Sequence, residues 1–534
     1  MAPTGGFHVT RSNSPEPGIL RPRHPEQTGR ARGIGLLAVA MVTIFVTGCA
    51  PGPTGSPSTS SVSGQASTRS LVRTSPRPAG PVADLSQAIT GGNGTFMGAS
   101  TSESLGGTGF VQHEYFAVGR ASSYRTTNGL PGDGRWNFVV DGSAPFRTRV
   151  VIRRPTDPSR FSGTVVVEWL NVSGGVDADP EYASLREEIL RRGDAWVGVS
   201  AQKIGVAGGP VLVTVPGTSS VTGKGLVAID PARYGSLAHP GDGYSFDMFT
   251  QVARAVRSGG GLMGGLRPKQ VLAAGESQSA IALTTYFNGV EPLTAEFDGF
   301  YIHSRASVPL PLVRPGQYAD LGGAIAGLMP TIFRTDTDIP VMDIQAESDV
   351  TGVLDSVAAR QPDSSRFRLW EVAGTSHADV HLLGPISSHV DCGTPINNGP
   401  MHLVAKAAFR ALQTWVATGR APPMAPLFTL TADASTSLVR NGDGIAMGGV
   451  RTPPVDVPVD ILSGAPGSNP ALLCLLLGST SPLPSSRLAE RYPTRADYLQ
   501  LYRSDAATTI RAGFVLAADR QSLLGYATPS RVSG

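Results

Sequence analysis

The stretch from Gln270 to Leu283 constrains the fold of this chain more than any other. A short apolar run ends at Ala274, the sequence Gly-Glu-Ser-Gln-Ser follows at once, and a helix-favouring Ala-Ile-Ala-Leu run comes next. This order predicts a strand, a tight turn with Ser277 at its apex, and a helix. In such a nucleophile elbow the serine hydroxyl stands clear of the sheet, and the next backbone amide, here that of Gln278, faces a developing oxyanion.

The usual elbow pattern is Gly-x-Ser-x-Gly, because the neighbouring strand and helix crowd the positions two before and two after the serine. Gly275 fits this pattern, whereas Ser279 replaces the second glycine with another small residue. Taken alone, the motif is compatible with an elbow and with an ordinary strand-to-helix loop. The rest of the chain has to decide between them.

Two sequence patterns follow one another along the chain, first alternating apolar and polar residues, and then apolar strands separated by helices. Segments 136–141 and 146–153 alternate apolar and polar residues, which predicts antiparallel strands. Strands are then predicted at 163–170, 195–200, 270–274, 297–303, 340–345 and 367–372, and helices at 180–192, 245–258 and 401–418. This alternation predicts an α/β fold whose central sheet is mostly parallel and carries helices on both faces.

Partners for the serine are found further along the chain. A serine hydroxyl needs an imidazole to take its proton, and the imidazole needs a carboxylate to fix its tautomer. In enzymes with this elbow the acid follows the serine and the histidine follows the acid. Asp349 and His377 fit, since each lies just beyond a predicted strand. We therefore predict a triad of Ser277, His377 and Asp349, with Glu347 as an alternative acid in the same loop.

A second oxyanion donor is expected from the loop after the strand at 163–170. That loop contains Asn171, Val172, Gly174 and Gly175, and its two glycines would let the backbone approach a ligand closely. We predict that the backbone amide of Asn171 or Val172 joins that of Gln278 in the oxyanion hole. The alternative is a turn that uses the glycines only for positive φ.

Three other histidines are weaker candidates than His377 for the histidine of the triad. His381 and His389 fall towards the next predicted helix and are expected at the surface, and His303 ends a strand as a hydrogen-bonded core residue. His377 and His381 have the i, i+4 spacing of some metal ligands, but the His-Glu-x-x-His order is absent and Gly374 precedes them. We expect no metal site and no cofactor.

The beginning of the chain resembles an export signal. Arginines occur up to Arg32, an apolar run from Ile34 to Val46 follows, and Val-Thr-Gly-Cys ends at Cys49. The apolar run is too short for a membrane-spanning helix and has the layout of a secretory signal. Its end is similar to the lipobox of bacterial lipoproteins, so we predict lipidation of Cys49 and a membrane anchor on the extracytoplasmic side. The alternative is a plain signal peptide.

The charge of the chain argues against nucleic acid as a partner. The formal net charge is +3, and residues 1–48 contain five arginines and two glutamates, which account for all of it. The remainder is neutral on balance, so no basic surface is left over to bind phosphate backbones.

These patterns divide the chain into four parts. We predict a signal peptide with lipobox at 1–48, a Pro/Ser/Gly-rich tether at 49–82, a catalytic domain at 83–420, and a C-terminal extension at 421–534 packed on that domain, with a helix at 487–503.

Two connections inside the catalytic domain, about 203–237 and 306–338, are too long for simple turns and are candidate lid insertions, the second with a short helix near 319–329.

Cys392 and Cys474 remain once Cys49 is set aside. In an oxidising compartment an even remainder favours pairing, so we predict a disulfide between them, and two buried thiols are the alternative.

Several blocks of sequence together carry a family resemblance. These are the runs that begin Glu168-Trp-Leu-Asn-Val-Ser-Gly-Gly, Asp230-Pro-Ala-Arg-Tyr, His239-Pro-Gly-Asp, Gly275-Glu-Ser-Gln-Ser, Glu347-Ser-Asp, Gly374-Thr-Ser-His-Ala-Asp and Cys392-Gly-Thr-Pro-Ile-Asn-Asn. From about residue 83 to the end, the chain resembles the alpha/beta hydrolase domain-containing family of bacterial proteins. The resemblance implies an α/β-hydrolase fold and a serine nucleophile, and it leaves the substrate open.

The sequence therefore predicts a lipid-anchored, extracytoplasmic serine hydrolase that cleaves small carboxylic esters through an acyl-enzyme. A peptidase or an acyltransferase would use the same residues, because a triad does not select the acyl acceptor. A surface binding protein with an inactive site is the alternative from another class, since fold alone does not imply function.

Overall fold

The computed structural model describes residues 70–73, 76–98, 104–432 and 436–533, and these belong to one compact unit. The predicted signal peptide and Cys49 lie outside the described residues, as does most of the predicted tether. Among the described residues, no helix is both long enough and apolar enough to cross a bilayer.

An eight-stranded sheet forms the centre of the molecule. Its strands are β1 Phe110–Thr126, β2 Phe138–Pro155, β3 Thr164–Trp169, β4 Ala195–Val199, β5 Gln270–Glu276, β6 Gly299–His303, β7 Val341–Ala346 and β8 Phe367–Val372. Their spatial order is β1-β2-β4-β3-β5-β6-β7-β8. Strand β2 runs antiparallel to β1 and β4, and the remaining neighbours are parallel. The chain thus has the α/β-hydrolase fold, as the sequence predicted.

The antiparallel part of the sheet differs from expectation in detail. The two strands predicted at 136–141 and 146–153 are one continuous strand, β2, which pairs along its length with β1, a strand that was not predicted. The residues between the two segments, including Gly142 and Pro145, belong to this strand as well. Pairing with β1 holds them in the hairpin, whose register shifts between Ser123 and Tyr124.

Helices cover both faces of the sheet. They are α1 Pro180–Arg192, α2 Lys203–Ala207, α3 Gly225–Ile229, α4 Pro231–Tyr234, α5 Ser245–Ser258, α6 Gln278–Thr285, α7 Glu291–Thr294, α8 Leu321–Gly327, α9 Glu347–Thr351, α10 Val380–Leu383, α11 Met401–Thr418, α12 Pro453–Asp456, α13 Leu472–Leu476, α14 Ser485–Arg491, α15 Arg495–Ala512 and α16 Arg520–Gly525. Val165 and Val167 of β3 face a core shared with α5 and α6, whereas Val166 between them faces a core shared with α1 and α11.

Both candidate lid insertions leave the carboxyl edge of the sheet. Segment 203–237 follows β4 and contains α2, α3 and α4, and segment 306–338 follows β6 and contains α8, close to the helix predicted near 319–329. The side chain of Asp242 joins the two, since it accepts hydrogen bonds from the amides of Lys203 at 2.7 Å and Ala319 at 2.8 Å. A lid function for these segments stays a prediction.

The C-terminal extension packs against the β8 edge. It contains a two-stranded antiparallel ribbon, β9 Asp460–Ser463 with β10 Ser479–Pro482. Phe428 and Val455 from the extension share a buried cluster with Val350 and Ala373 of the catalytic part. The helix predicted at 487–503 is in fact two helices, α14 and α15, because Pro493 cannot continue a helix.

The described end of the predicted tether also packs on the domain. The amide of Leu71 donates to the carbonyl of Val416 at 2.8 Å, and Arg77 forms an ion pair with the buried Asp298. The ordered contacts of the chain therefore begin before residue 83, where the sequence suggested that the catalytic domain starts. Apolar residues are sparse in this segment, so composition gave no sign of these contacts.

Candidate active site

Ser277 occupies the sharp turn between β5 and α6. Its backbone has φ of 60° and ψ of −123°, a conformation that non-glycine residues rarely adopt. The turn is held because the amide of Ser277 donates to the carbonyl of His303 at 2.9 Å, while its own carbonyl accepts from the amide of Ile281 at 3.0 Å. Ser277 is partly exposed, whereas residues 278–285 behind it are buried. The predicted elbow is therefore the geometry that the chain adopts.

The packing around the elbow explains its departure from Gly-x-Ser-x-Gly. A Cβ atom at Gly275 would lie 2.9 Å from the Cβ atom of Ser279 and 3.1 Å from Leu283 Cδ1. The first glycine is therefore required by close packing against α6. The second position needs only to be small, which a serine satisfies.

His377 joins Ser277 to Asp349. Its Nε2 lies 2.8 Å from Ser277 Oγ, and its Nδ1 lies 2.8 Å from Asp349 Oδ1. The other oxygen of Asp349, Oδ2, accepts hydrogen bonds from Ser304 Oγ and from the amide of Ala346, both at 2.6 Å. Because both oxygens of Asp349 are engaged, the carboxylate is fixed in the plane that orients the imidazole.

Each member of this group lies at the carboxyl edge of the sheet. Ser277 follows β5, Asp349 lies in α9 directly after β7, and His377 lies in the loop after β8. The amide of His377 donates to Ser348 Oγ at 2.7 Å, which fixes the histidine loop to α9. The three residues that sequence order selected are thus brought together in space.

The alternative acid, Glu347, serves a different purpose. Its Oε2 accepts from the amide of Gly374 at 2.9 Å, and its Oε1 accepts from the amide of Gly464 at 2.9 Å and from Arg440 at 2.6 Å. Glu347 therefore connects the histidine loop to the C-terminal extension, and the structure contradicts it as the partner of His377. The two acids lie two positions apart on the first turn of α9, so their side chains point in different directions.

Of the predicted oxyanion donors, the amide of Gln278 is best placed. It is the first residue of α6, and no hydrogen bond from its amide occurs within the described residues. The amide of Val172 faces the elbow and donates to the side-chain oxygen of Gln278 at 3.2 Å. These two amides therefore come from the two segments that form an oxyanion hole.

The prediction that the Asn171 amide is such a donor is contradicted. That amide donates to the carbonyl of Ala178 at 2.9 Å, in a small bridge that closes the loop. Asn171 acts through its side chain instead, whose Nδ2 donates to the carbonyl of Glu276 at 3.1 Å. A local hydrogen bond seven residues away was not visible in the sequence pattern.

Of the two glycines of this loop, Gly175 has the role given above as the alternative, a turn with positive φ. Gly175 has φ of 77°, and a Cβ atom there would lie 2.6 Å from the amide nitrogen of Gly223 in the first lid insertion. Glycine at this position therefore serves the turn and the close approach of the insertion. A Cβ atom at Gly174 would meet nothing within 4 Å.

Among the described residues, no rival histidine has its ring hydrogen-bonded to Ser277 Oγ, which contacts the ring of His377. His303 is buried, and its Nδ1 lies 2.8 Å from Glu181 Oε1. Burial lowers the pKa of His303, but the charge of Glu181 and the hydrogen bond outweigh it and raise the pKa to about 9. His381 stacks on His402 with ring centroids 3.7 Å apart, and His389 is exposed. Within the described ranges, no group of three or more His, Cys, Asp or Glu residues could hold a metal ion.

One residue at the site was not singled out from the sequence. Glu276 precedes the nucleophile, is 4% exposed, and places Oε1 at 3.3 Å from His377 Nε2. Burial is the main reason why the pKa of Glu276 is raised to about 7, although nearby His377 and His303 lower it in part. The motif shows a glutamate at this position, but only the strand register shows where its side chain points.

Cys392 and Cys474 form the predicted disulfide, with Cα atoms 5.4 Å apart. It lies in a small buried cluster with Ile396 and Leu477. Leu477 accepts a hydrogen bond from the amide of Asn397, so the extension is tied to the segment that follows the histidine loop.

The fold and this site define a hydrolase of the α/β class. The chain matches the model of the alpha/beta hydrolase domain over residues 79–525, and it therefore belongs to that family. No match was found among curated proteins.

Solved structures show partial likeness at low identity. An α/β serine hydrolase without a lid from Xanthomonas campestris is 14% identical, with a TM-score of 0.27 over 57% of this chain and 97% of that one. A fungal esterase from Rhizomucor miehei is 12% identical, with a TM-score of 0.29 over 55% and 83%. Carboxyl esterase 2 from Tuber melanosporum is 11% identical, with a TM-score of 0.27 over 59% and 90%. The family assignment rests on the family match and not on these likenesses.

Proposed function

We propose that this protein is a serine hydrolase that cleaves small carboxylic esters through an acyl-enzyme. The observation that carries the proposal is the bridge made by His377, whose two ring nitrogens each lie 2.8 Å from an oxygen, Ser277 Oγ on one side and Asp349 Oδ1 on the other. This is the geometry needed for a serine activated by a histidine that a carboxylate orients.

The reaction follows from that geometry. Ser277 Oγ attacks the ester carbonyl while its proton passes to His377 Nε2, and Asp349 stabilises the imidazolium that forms. The amides of Gln278 and Val172 stabilise the oxyanion. The Val172 amide does so once the substrate replaces the Gln278 side chain as the acceptor of its hydrogen bond. His377 then gives the proton to the leaving alkoxide, which leaves an acyl group on Ser277. A water molecule, deprotonated by His377, releases the acid and restores the serine.

Hydrolysis by matched serine variants tests the proposal. We expect wild-type protein to hydrolyse short p-nitrophenyl esters and Ser277→Ala to lose at least about 10³-fold in kcat, as when a triad member is removed. Ser279→Ala is the control and should retain activity, since the buried Ser279 hydroxyl has no hydrogen-bond partner among the described residues. Equal rates for wild type and Ser277→Ala would rule out this nucleophile.

A substrate panel distinguishes the remaining alternatives. Cleavage of peptides without esters would make the protein a peptidase, and transfer of the acyl group to an added alcohol faster than to water would make it an acyltransferase. Ligand binding without turnover in a thermal-shift screen would favour a binding protein on a hydrolase scaffold.

We further propose that the protein is exported and anchored in the membrane through lipidated Cys49. The Arg32 to Cys49 pattern supports this, and so does the Cys392–Cys474 disulfide, because such bonds persist mainly outside the cytoplasm. Metabolic labelling with an alkyne fatty acid should mark the wild type and leave Cys49→Ala unlabelled and in the soluble fraction. Membrane association that does not depend on Cys49 would contradict the anchor.

A further inference from the structure

A second carboxylate contacts the histidine of the triad. Asp349 lies at Nδ1 of His377, and Glu276 Oε1 lies 3.3 Å from Nε2, the nitrogen that also faces Ser277 Oγ. The mechanism above uses Asp349 alone, so it gives no role to Glu276.

The position of Glu276 is fixed by its surroundings. It is the last residue of β5 and the register partner of His303 on the neighbouring parallel strand, so the two side chains emerge on the same face. The side chain of Asn171 lies 3.5 Å from Glu276 Oε2 and donates to the Glu276 carbonyl. Glu276 is 4% exposed, which leaves little water to screen its charge.

Charged groups from four elements face this carboxyl. They are His377 from the loop after β8, His303 from β6, Glu181 from α1 and Asp349 from α9. His303 and Glu181 form their own pair, with Nδ1 and Oε1 at 2.8 Å. The histidine whose ring nitrogen contacts the Glu276 carboxylate is His377.

We propose that Glu276 is a positioning residue that stabilises the imidazolium form of His377 from the Nε2 side; this inference rests on the proposed serine-hydrolase function. When Ser277 Oγ bonds to the carbonyl carbon, its proton moves to Nε2, and the new positive charge lies between two carboxylates. At low pH the same contact reduces activity, because a proton held between Glu276 and His377 prevents Nε2 from acting as a base. This proton is released only as the pH rises.

The direction of the pH effect follows. A carboxylate within about 4–6 Å raises the pKa of a histidine by about 1–3 units. Removal of that charge in Glu276→Gln should lower the pKa of His377, so the neutral base persists to lower pH. We expect the acid limb of kcat/KM to move down by about 1 pH unit or more. At the alkaline plateau we expect kcat to fall by about three- to tenfold, since a weaker base drives proton transfer less well.

Two further variants separate this role from a structural one. Glu276→Asp keeps the negative charge but moves it back by the length of one methylene group. The acid limb of its kcat/KM profile should stay close to that of the wild type. Glu291→Gln makes the same exchange at another buried glutamate, which accepts from the amide of Phe297 near the opposite edge of the sheet. It should leave the pH profile unchanged.

The test combines pH profiles with a measurement that needs no turnover. In Ser277→Ala protein, an NMR titration of the His377 ring should show a pKa lower by about 1 unit or more when Glu276→Gln is added. An unchanged acid limb and an unchanged ring pKa overturn the inference while the serine-hydrolase function stands. Absence of ester hydrolysis in wild type removes the proposed function, and the ring titration then shows separately whether Glu276 acts on His377.

Discussion

At the scale of single residues, the geometry around Ser277 depends on small neighbours. The strained backbone at Ser277 persists because its amide, its carbonyl and the helix behind it are all engaged. Gly275 allows α6 to approach β5 closely.

Gly275→Ala should therefore reduce both stability and activity. The added Cβ atom would lie 2.9 Å from Ser279 Cβ, which forces α6 to shift. We expect a loss of about 1–3 kcal/mol in the free energy of unfolding, the usual cost of overpacking, together with a lower kcat. Urea denaturation and ester hydrolysis measure the two effects. Gly442→Ala is the control, since a Cβ atom there meets nothing within 4 Å.

The pH dependence of wild-type activity is set at the same scale. Burial lowers the pKa of His377, but the charges of Glu276 and Asp349 and the hydrogen bond to Asp349 outweigh it, so the pKa lies above its ordinary value of 6.5. Only the neutral ring can accept the serine proton. We therefore expect kcat/KM to be lost as the pH falls through this raised pKa, with a midpoint above 6.5. A midpoint below 6.5 would contradict the account.

At the scale of elements, the loops beyond β7 and β8 work as one unit. Glu347 accepts from Gly374 in the histidine loop and from Gly464 and Arg440 in the extension. Ser348 next to it accepts from the amide of His377. The first turn of α9 thus holds the acid and the histidine in register.

Glu347→Gln tests this coupling. The variant loses the ion pair with Arg440 and leaves one or more of the buried amide donors with a poorer acceptor or none. We expect the free energy of unfolding to fall by about 1–3 kcal/mol and kcat to fall with it. Glu490→Gln removes a carboxylate from a surface pair with Arg487 and should change stability by less than about 1 kcal/mol. Equal effects of the two substitutions would refute a special role for Glu347.

The elements that the sequence predicted well are those with local signals. The buried strands β3 to β8, the helices α1, α5 and α11, and the order of the triad all follow from apolar runs, spacing and strand ends. Features that depend on a particular pairing partner were missed. The hairpin strand β1 is set by its pairing with β2, the Asn171 amide is engaged by a loop hydrogen bond to Ala178, and the direction of the Glu276 side chain depends on the strand register.

At the scale of the molecule, the C-terminal extension belongs to the hydrolase unit and does not stand apart from it. Residues of the extension share buried clusters with the catalytic part, and Val450 pairs with Val372 at the end of β8. The disulfide adds a covalent link between the segment after the histidine loop and α13. The amide of Ala378, next to His377, donates to the carbonyl of Leu476 at the end of α13.

Removal of this link should loosen the molecule near the histidine. The two cysteines are 82 residues apart, and closing a loop of this size typically stabilises a protein by about 2–4 kcal/mol. We expect Cys392→Ala/Cys474→Ala to lose a similar amount in denaturant unfolding and to show reduced kcat. Exposure to reductant should not affect this variant further. Unchanged stability would show that packing alone holds the extension.

The most direct test of the account is to locate the acyl group on the protein. Wild-type protein would be quenched in acid during turnover of a slowly deacylating ester and digested with trypsin, which yields one peptide for residues 270–305. We predict that fragmentation places the acyl mass on Ser277 and that His377→Ala shows none. An acyl adduct on any other residue would contradict the assignment of Ser277 as the nucleophile. So would wild-type protein that forms no adduct when treated with a fluorophosphonate and still turns over the ester.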